Sequence, residues 1–356
     1  MTGQELVSLM LQSHRRVCVT GTQENGVIAA LDLEGRLFTV VHGQVLNRVV
    51  PSAIMNRTNR HAYLNPGGDT LWPAPEGTCY GYEYGTGKWR VPPAITGAVW
   101  EVVGQSENRS VIRAEIDLVN NRQLGIPCEF ERHIEVERNK ECLIQNVTEV
   151  IRYIGIKVLD NSEFRLAPWS LCQFDSGAGS ELVMPPSAGD DIRDLYDSSL
   201  SQRGVSGGQY VVDTKTPFRF QLGLGANVPW IEYRSGQDFR VKRYAGDLPS
   251  GQSYIDIADA PPDHFPSELG VKLSVYCDPS GFMEIEACGG CPDTLAPGSE
   301  MSVRVTTEYT AAGRGAQKIG PAGTIVQEQC RLTGPILHAS MAAKPSLNAG
   351  EPGRRV

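Results

Sequence analysis

The chain alternates polar and apolar residues in short runs. Across residues 128–137 (CEFERHIEVE), Phe130, Arg132, Ile134 and Val136 fall on one side and Glu129, Glu131, His133, Glu135 and Glu137 on the other. That is the period of two expected of a strand with one wet face. Residues 141–151 (ECLIQNVTEVI) continue in kind. The clearest hairpin runs from 98 to 105 (AVWEVVGQ), turns at Ser106-Glu107-Asn108-Arg109 and returns over 110–119 (SVIRAEIDLV). Further short runs lie at 17–20, 26–31 and 36–41, then at 218–224, 230–233, 238–244, 271–276, 282–287 and 301–309.

Helical periodicity is scarce. Residues 5–12 (ELVSLMLQ) suit a short helix or an irregular lead-in, and 190–202 is the best interior helix candidate. The pattern therefore predicts an all-β fold of antiparallel strands with few short helices. Three long connections, 56–93, 174–210 and 245–270, stand out, since loops of that length are uncommon unless functional. No internal repeat or linker divides the chain. The expected organisation is a lead-in at 1–15, one β domain at 16–335, and a small-residue, polar tail bearing Pro and Gly at 336–356.

Composition narrows the function. With 356 residues, 40% hydrophobic and 21% charged, the chain can bury a sizeable core. A net charge of −8 argues against a nucleic-acid partner. No apolar run is long enough for a membrane span. The N-terminal stretch lacks the basic start of a secretory signal, so a cytoplasmic protein with reduced thiols is expected. Nine cysteines are scattered without framework spacing. The pair Cys288-x-x-Cys291 lacks a second pair to complete a zinc site, with only Cys277 nearby. The histidines His14, His42, His61, His133, His264 and His338 form no ligand motif, so no metal and no cofactor are expected.

Residues 65–84 (NPGGDTLWPAPEGTCYGYEY) are the densest group. Gly67-Gly68 permits a tight turn, Asp69 follows at once, and Trp72 and Glu76 sit among prolines. Aromatic faces and carboxylates on stiff loops suit a sugar, whose ring stacks on an indole while its hydroxyls donate to carboxylates. The plainer reading makes Trp72 a core residue. A second group is Arg165 to Asp175 (RLAPWSLCQFD), with Trp169. A third is Trp230 with Glu232 and Tyr233. In DFRVKRY, Lys242 shares a strand face with Arg240 and Tyr244, and contacts a ligand only if that face lines a cleft. In FMEIEAC, Glu284 and Glu286 lie two apart and share a face: either a solvated surface or, in a pocket, a source of a general base.

Taken together, these blocks resemble the galactose-mutarotase-like superfamily. NPGGDTLWPAPEG is similar to the Gly-Gly-x-x-Leu-Trp-x-x-Pro-Glu signature of one of its bacterial families. FERHIEVERNKECLIQNVTEV, APWSL, FRVKRY and MEIEACGGCPDTLAPGSEMSVRV follow in the expected order, so the resemblance covers roughly residues 16–309. It implies a β-supersandwich of stacked antiparallel sheets with a carbohydrate cleft on one concave face. It also implies aldose 1-epimerase-like chemistry, in which a base takes the anomeric proton and an acid protonates the ring oxygen. The base falls on Glu286 or Glu284, with Glu286 preferred for its spacing to Pro292-Asp293. The family's acid-bearing segment matches APWSLCQFDSG, which has no histidine; His264 is the available substitute.

The expected partner is a small-molecule carbohydrate, with the oligomeric state open between monomer and homodimer. Trp72 and Trp169 would stack on sugar, Asp69, Glu76 and Lys242 would fix hydroxyls or a carboxylate, and Trp230 is a further candidate for substrate binding. The alternatives are a non-catalytic carbohydrate-binding or sensor protein on the same scaffold, or a glycan lyase or hydrolase pairing Asp69 or Glu76 with Glu286.

Overall fold

The computed structural model describes residues 1–311 except 60–61, 77–79, 81–82, 85–87, 90, 140–141, 187–190, 237 and 258–269. His264 and the tail boundary at 336 lie outside the described residues.

Two large antiparallel sheets are built from the alternating runs. The first, edge to edge, is Val17–Gly21, Gly26–Ala30, Arg36–Val41, Asp69–Ala74, Ala167–Asp175, Phe282–Cys288, Leu273–Asp278, Phe220–Leu224 and Ile192–Asp194, with Gln44–Val45 beside Arg36–Val41. The second is Arg203–Ser206, Gln209–Asp213, Ser180–Met184, Ile231–Ser235, Phe239–Ala245, Glu300–Ala311, Cys142–Tyr153, Gly125–Arg138, Arg109–Val119 and Glu101–Gln105. The sheets pack face to face around a core that includes Leu37, Leu71, Cys172, Ile285, Phe130, Ile151, Val305 and Tyr309. Strand parity follows the sequence pattern: Phe130, Arg132 and Ile134 point inward, while His133 and Glu135 point out.

The first hairpin forms as expected, Glu101–Gln105 pairing with Arg109–Val119. The N-terminal segment is a helix, Gly3–Gln12, with a reciprocal cap between Thr2 and Glu5. It is no loose lead-in. Leu6, Val7 and Met10 pack on Ile28, Ala30, Phe38 and Val40 and so cover the outer face of the first sheet at one end. The expected helix at 190–202 does not form. Ile192–Asp194 instead pairs with Phe220–Leu224 as an edge strand, and Leu200–Gln202 makes a short helical turn of the 3-10 type. The strand ladder offers Ile192 a partner in Leu224, which outweighs the weak helical pattern.

Candidate functional site

The central strands of the first sheet have two faces, and period two assigns every polar residue to one of them. Directly paired residues point the same way. The register Trp72↔Trp169, Leu171↔Glu286, Gln173↔Glu284, Glu286↔Ser274, Glu284↔Tyr276 and Tyr276↔Gln221 therefore gathers one set on the outer face. The intervening set, Asp69, Ser170, Cys172 and Ile285, points toward the second sheet.

On the outer face the floor is buried and polar. Glu286 is fully buried and accepts from Trp169 Nε1 at 2.9 Å and from Gln221 Nε2 at 3.0 Å. Glu284, 7% exposed, accepts from Gln173 Nε2 at 2.6 Å. The two carboxyls are within hydrogen-bonding reach of each other. Trp169 meets Trp72 edge to face, centroids 6.1 Å apart. Trp72 Nε1 donates to Glu34 Oε2 at 3.2 Å, and Glu34 also receives Arg36 at 2.9 Å and the Tyr63 hydroxyl at 3.2 Å. Arg36 is held in turn by the Gly67 carbonyl at 2.8 Å. This contact needs the turn at Gly67-Gly68. Both glycines have positive φ, and a Cβ on Gly67 would sit 2.0 Å from the Arg48 carbonyl oxygen.

The rim is half-exposed. The Tyr196 hydroxyl donates to Glu76 at 3.0 Å, Arg219 lies 4.7 Å from the Tyr196 ring centroid, and Tyr276 donates to Asp278 at 2.8 Å. Beside the floor, a cleft of about 710 Å³ has Glu34 in its wall, together with Arg15, Arg57 and Pro66. Three buried polar atoms of the floor strands have no protein partner: Arg36 Nε, Thr70 Oγ1 and Gln173 Oε1. Buried polar groups are nearly always satisfied, so such a cluster suits a polar ligand.

Burial raises the Glu286 carboxyl to about 7; hydrogen bonds from Trp169 and Ser274 pull against it and the charge of Glu76 adds to it. Glu284 is pushed well above the carboxylate range, by burial first and then by Glu286, with Arg36 opposing. Two adjacent carboxyls in a dry site cannot both ionise easily.

The other expected ligand contacts separate from this group. Asp69 is 2% exposed and faces the second sheet, where it is paired with Arg132 and with Arg243 at 2.7 Å. Arg132 also binds Glu149 at 2.6 Å. Asp69 is therefore an ionic tie between the sheets, and the pairing of Asp69 with Glu286 across a cleft does not occur. Lys242 and Trp230 lie on the outward side of the second sheet. Arg243, the next residue, points inward to Asp69, so Lys242 must point away; its Nζ sits 3.9 Å from the Trp230 ring centroid. Trp72 and Trp169 do belong to the floor, but at 4% and 2% exposed they serve as walls and donors, not as open stacking platforms. Glu76 reaches the rim.

Sequence reasoning missed Glu34, Arg36, Tyr63, Gln173, Tyr196 and Gln221. A signal existed for two of them: Gln173 in SLCQF and Gln221 in FQLGL are lone polar residues inside apolar strands, as Glu284 and Glu286 are. Among the described residues no group of three or more His, Cys, Asp or Glu is placed to hold a metal ion. The described cysteines, Cys288 and Cys291 included, are buried and unbridged. No helix among them is long and apolar enough to cross a membrane.

Comparison with solved structures decides the fold. The Slr1438 protein from Synechocystis sp. PCC 6803 superposes with a TM-score of 0.54 at 12% identity, over 83% of this chain and 96% of its own. A galactose mutarotase-like protein from Lactobacillus casei superposes with a TM-score of 0.51 at 12% identity, over 83% of this chain and 100% of its own. The chain has the galactose mutarotase-like fold. At such identity the likeness speaks for architecture alone. No family model matches the sequence, and a comparison with curated proteins gave no match. The mutarotase-like scaffold accounts for the two stacked sheets, and the polar floor at Glu284 and Glu286 occupies one outer face of that scaffold.

Proposed function

We propose that the protein acts on a free sugar or small saccharide by acid–base chemistry, most simply as an aldose 1-epimerase-like isomerase. The observation that carries this reading is the Glu286 carboxyl. It is buried, oriented by Trp169 and Gln221, and balanced near neutral pH at about 7. A general base works best when its pKa lies near the operating pH. In this reading Glu286 takes the anomeric proton. Trp72 and Trp169 wall the ring, and Arg36, Thr70 and Gln173 offer their unpartnered atoms to hydroxyls. Glu76 and Tyr196 close the rim.

A second reading, a non-catalytic saccharide binder, draws on the histidines. None of the three described ones serves the floor: His133 points outward from the second sheet, His42 sits in a turn, and His14 lines the separate cleft. One experiment separates the two. Freshly dissolved α-anomers of neutral aldoses and uronic acids are followed by proton NMR with and without protein, alongside calorimetry. Faster equilibration for at least one sugar is expected. Binding without acceleration would favour the binder, and neither would remove both readings.

A further inference from the structure

The epimerase reading leaves the acid unassigned, and the floor offers a group for it. We infer that Glu284 and Glu286 act as one proton-sharing pair, Glu286 removing the proton from the anomeric hydroxyl while Glu284 delivers one to the ring oxygen. The inference rests on the epimerase reading and deepens it.

Geometry comes first. Positions two apart on the Phe282–Cys288 strand put both side chains on one face. Neighbouring strands fix each separately, Gln173 binding Glu284 and Trp169 with Gln221 binding Glu286. The pair is thus held side by side with different partners. Both reacting oxygens of an aldose are bonded to the same carbon, so an acid and a base held side by side can reach both. A histidine elsewhere is not required.

The two environments differ in the needed sense. Glu284 has burial and a carboxylate neighbour against ionisation, which outweigh Arg36 and its Gln173 donor, and stays protonated longer; Glu286 has hydrogen bonds from Trp169 and Ser274 that favour its anion. Environments that push two carboxyls apart assign one as acid and one as base. Of the groups facing the pair, Arg36 is cationic throughout. Tyr63, Tyr196 and Tyr276 are pushed up by burial. The Cys288 thiol is raised the same way. Among the described residues Glu34, Glu76 and Asp278 are the other carboxyls around the pair.

The step balances. The Glu286 carboxylate takes the proton of O1 and the C1–O1 bond becomes a carbonyl. The C1–O5 bond breaks, its electron pair staying on O5, which takes the proton of Glu284. After rotation about C1–C2 the roles reverse: Glu284 recovers the O5 proton, O5 attacks C1, and Glu286 returns its proton to O1. No co-reactant is consumed.

The test compares the native chain with Glu284→Gln, Glu284→Asp and Glu286→Gln by NMR anomerisation of the aldose panel from pH 5 to 9. It is combined with a carbon-13 titration of glutamate-labelled protein. Expected are a bell-shaped native profile and a loss of about 10²–10⁴-fold in Glu284→Gln, together with the alkaline limb. Partial recovery is expected in Glu284→Asp, and two coupled carboxyl steps that become one in Glu284→Gln. If the native chain accelerates no sugar, the epimerase reading and this inference fall together. If it does, but Glu284→Gln stays within about threefold of native, or both carboxyls ionise in the ordinary range, this inference alone falls and Glu286 keeps its role. Should Glu284→Gln not fold, Glu284→Asp and the native titration decide.

Discussion

Asp69→Ala separates a structural tie from a ligand contact. In the folded chain the Asp69 carboxylate is 2% exposed and carries two guanidiniums, Arg132 and Arg243, with the Ser170 hydroxyl at 3.3 Å. Arg132 keeps a second partner, Glu149, with donors at 2.9 and 2.6 Å. Arg243 has only neutral oxygens left, on Ser170 and Thr307. Truncation therefore strands one buried cation. Removing one partner from a buried ion pair costs about 3–5 kcal/mol, most of it the unpaired charge left behind. At roughly 2–4 °C per kcal/mol for domains of 150–250 residues, Tm should fall by about 6–20 °C, toward the lower end here because this unit is larger.

Thermal and urea denaturation of native and Asp69→Ala protein measure this, and Asp69→Ala with Arg243→Met should recover part of the loss. The pH course adds a check. Burial opposes the Asp69 charge, but Arg243 and Arg132 outweigh it and hold the carboxyl below its ordinary value. A carboxyl depressed in the folded state contributes stability above its unfolded pKa and loses it as pH falls through the folded one. The native advantage over Asp69→Ala should shrink below about pH 4. An unchanged Tm with sugar binding abolished would refute the reasoning and return Asp69 to the ligand site.

Glu286→Gln should keep saccharide binding by calorimetry while anomerisation drops by about 10²–10⁴-fold. It should also stabilise the chain above neutral pH: a carboxyl raised in the folded state, here to about 7, loses its stability contribution as pH rises through that value, and the amide removes the effect. Trp169→Phe deletes an N–H donor to the Glu286 anion, so the acidic limb of the rate profile should move to higher pH; an unmoved limb would detach Trp169 from the base. Lys242→Ala should leave sugar affinity unchanged and cost about 1 kcal/mol in denaturation, the scale of a half-buried cation on an aromatic ring.

Much of the architecture could be read from alternation alone. Arg132 among Phe130, Ile134 and Val136 already marked an arginine on an inner face, and the structure supplies its buried acids, Asp69 and Glu149. The sequence could not show which distant strand brings those acids. The same limit hid Tyr196 and Tyr63, whose place at the site depends on connections without period. Helix formation at 190–202 depended on competition: a weak local preference met an open edge at Phe220–Leu224 and gave way to pairing.

The division of the candidate site turns on parity. Read as a loop, NPGGDTLWPAPEG lets Asp69 and Trp72 turn toward one ligand. Read as the strand Asp69–Ala74, it places residues three apart on opposite faces. A strand in one sheet of a two-sheet sandwich sends one face to the core and the other to whatever covers the sheet. Asp69 thereby ties the layers together while Trp72 joins the outer floor. The same arithmetic on Phe282–Cys288 keeps Glu284 and Glu286 together, since two is even, and on Phe239–Ala245 turns Lys242 away because Arg243 must reach Asp69. An odd or even separation thus decided more about the site than residue type did. Indole and carboxylate were both legible as sugar-suited groups, but only strand register told which of them share a face.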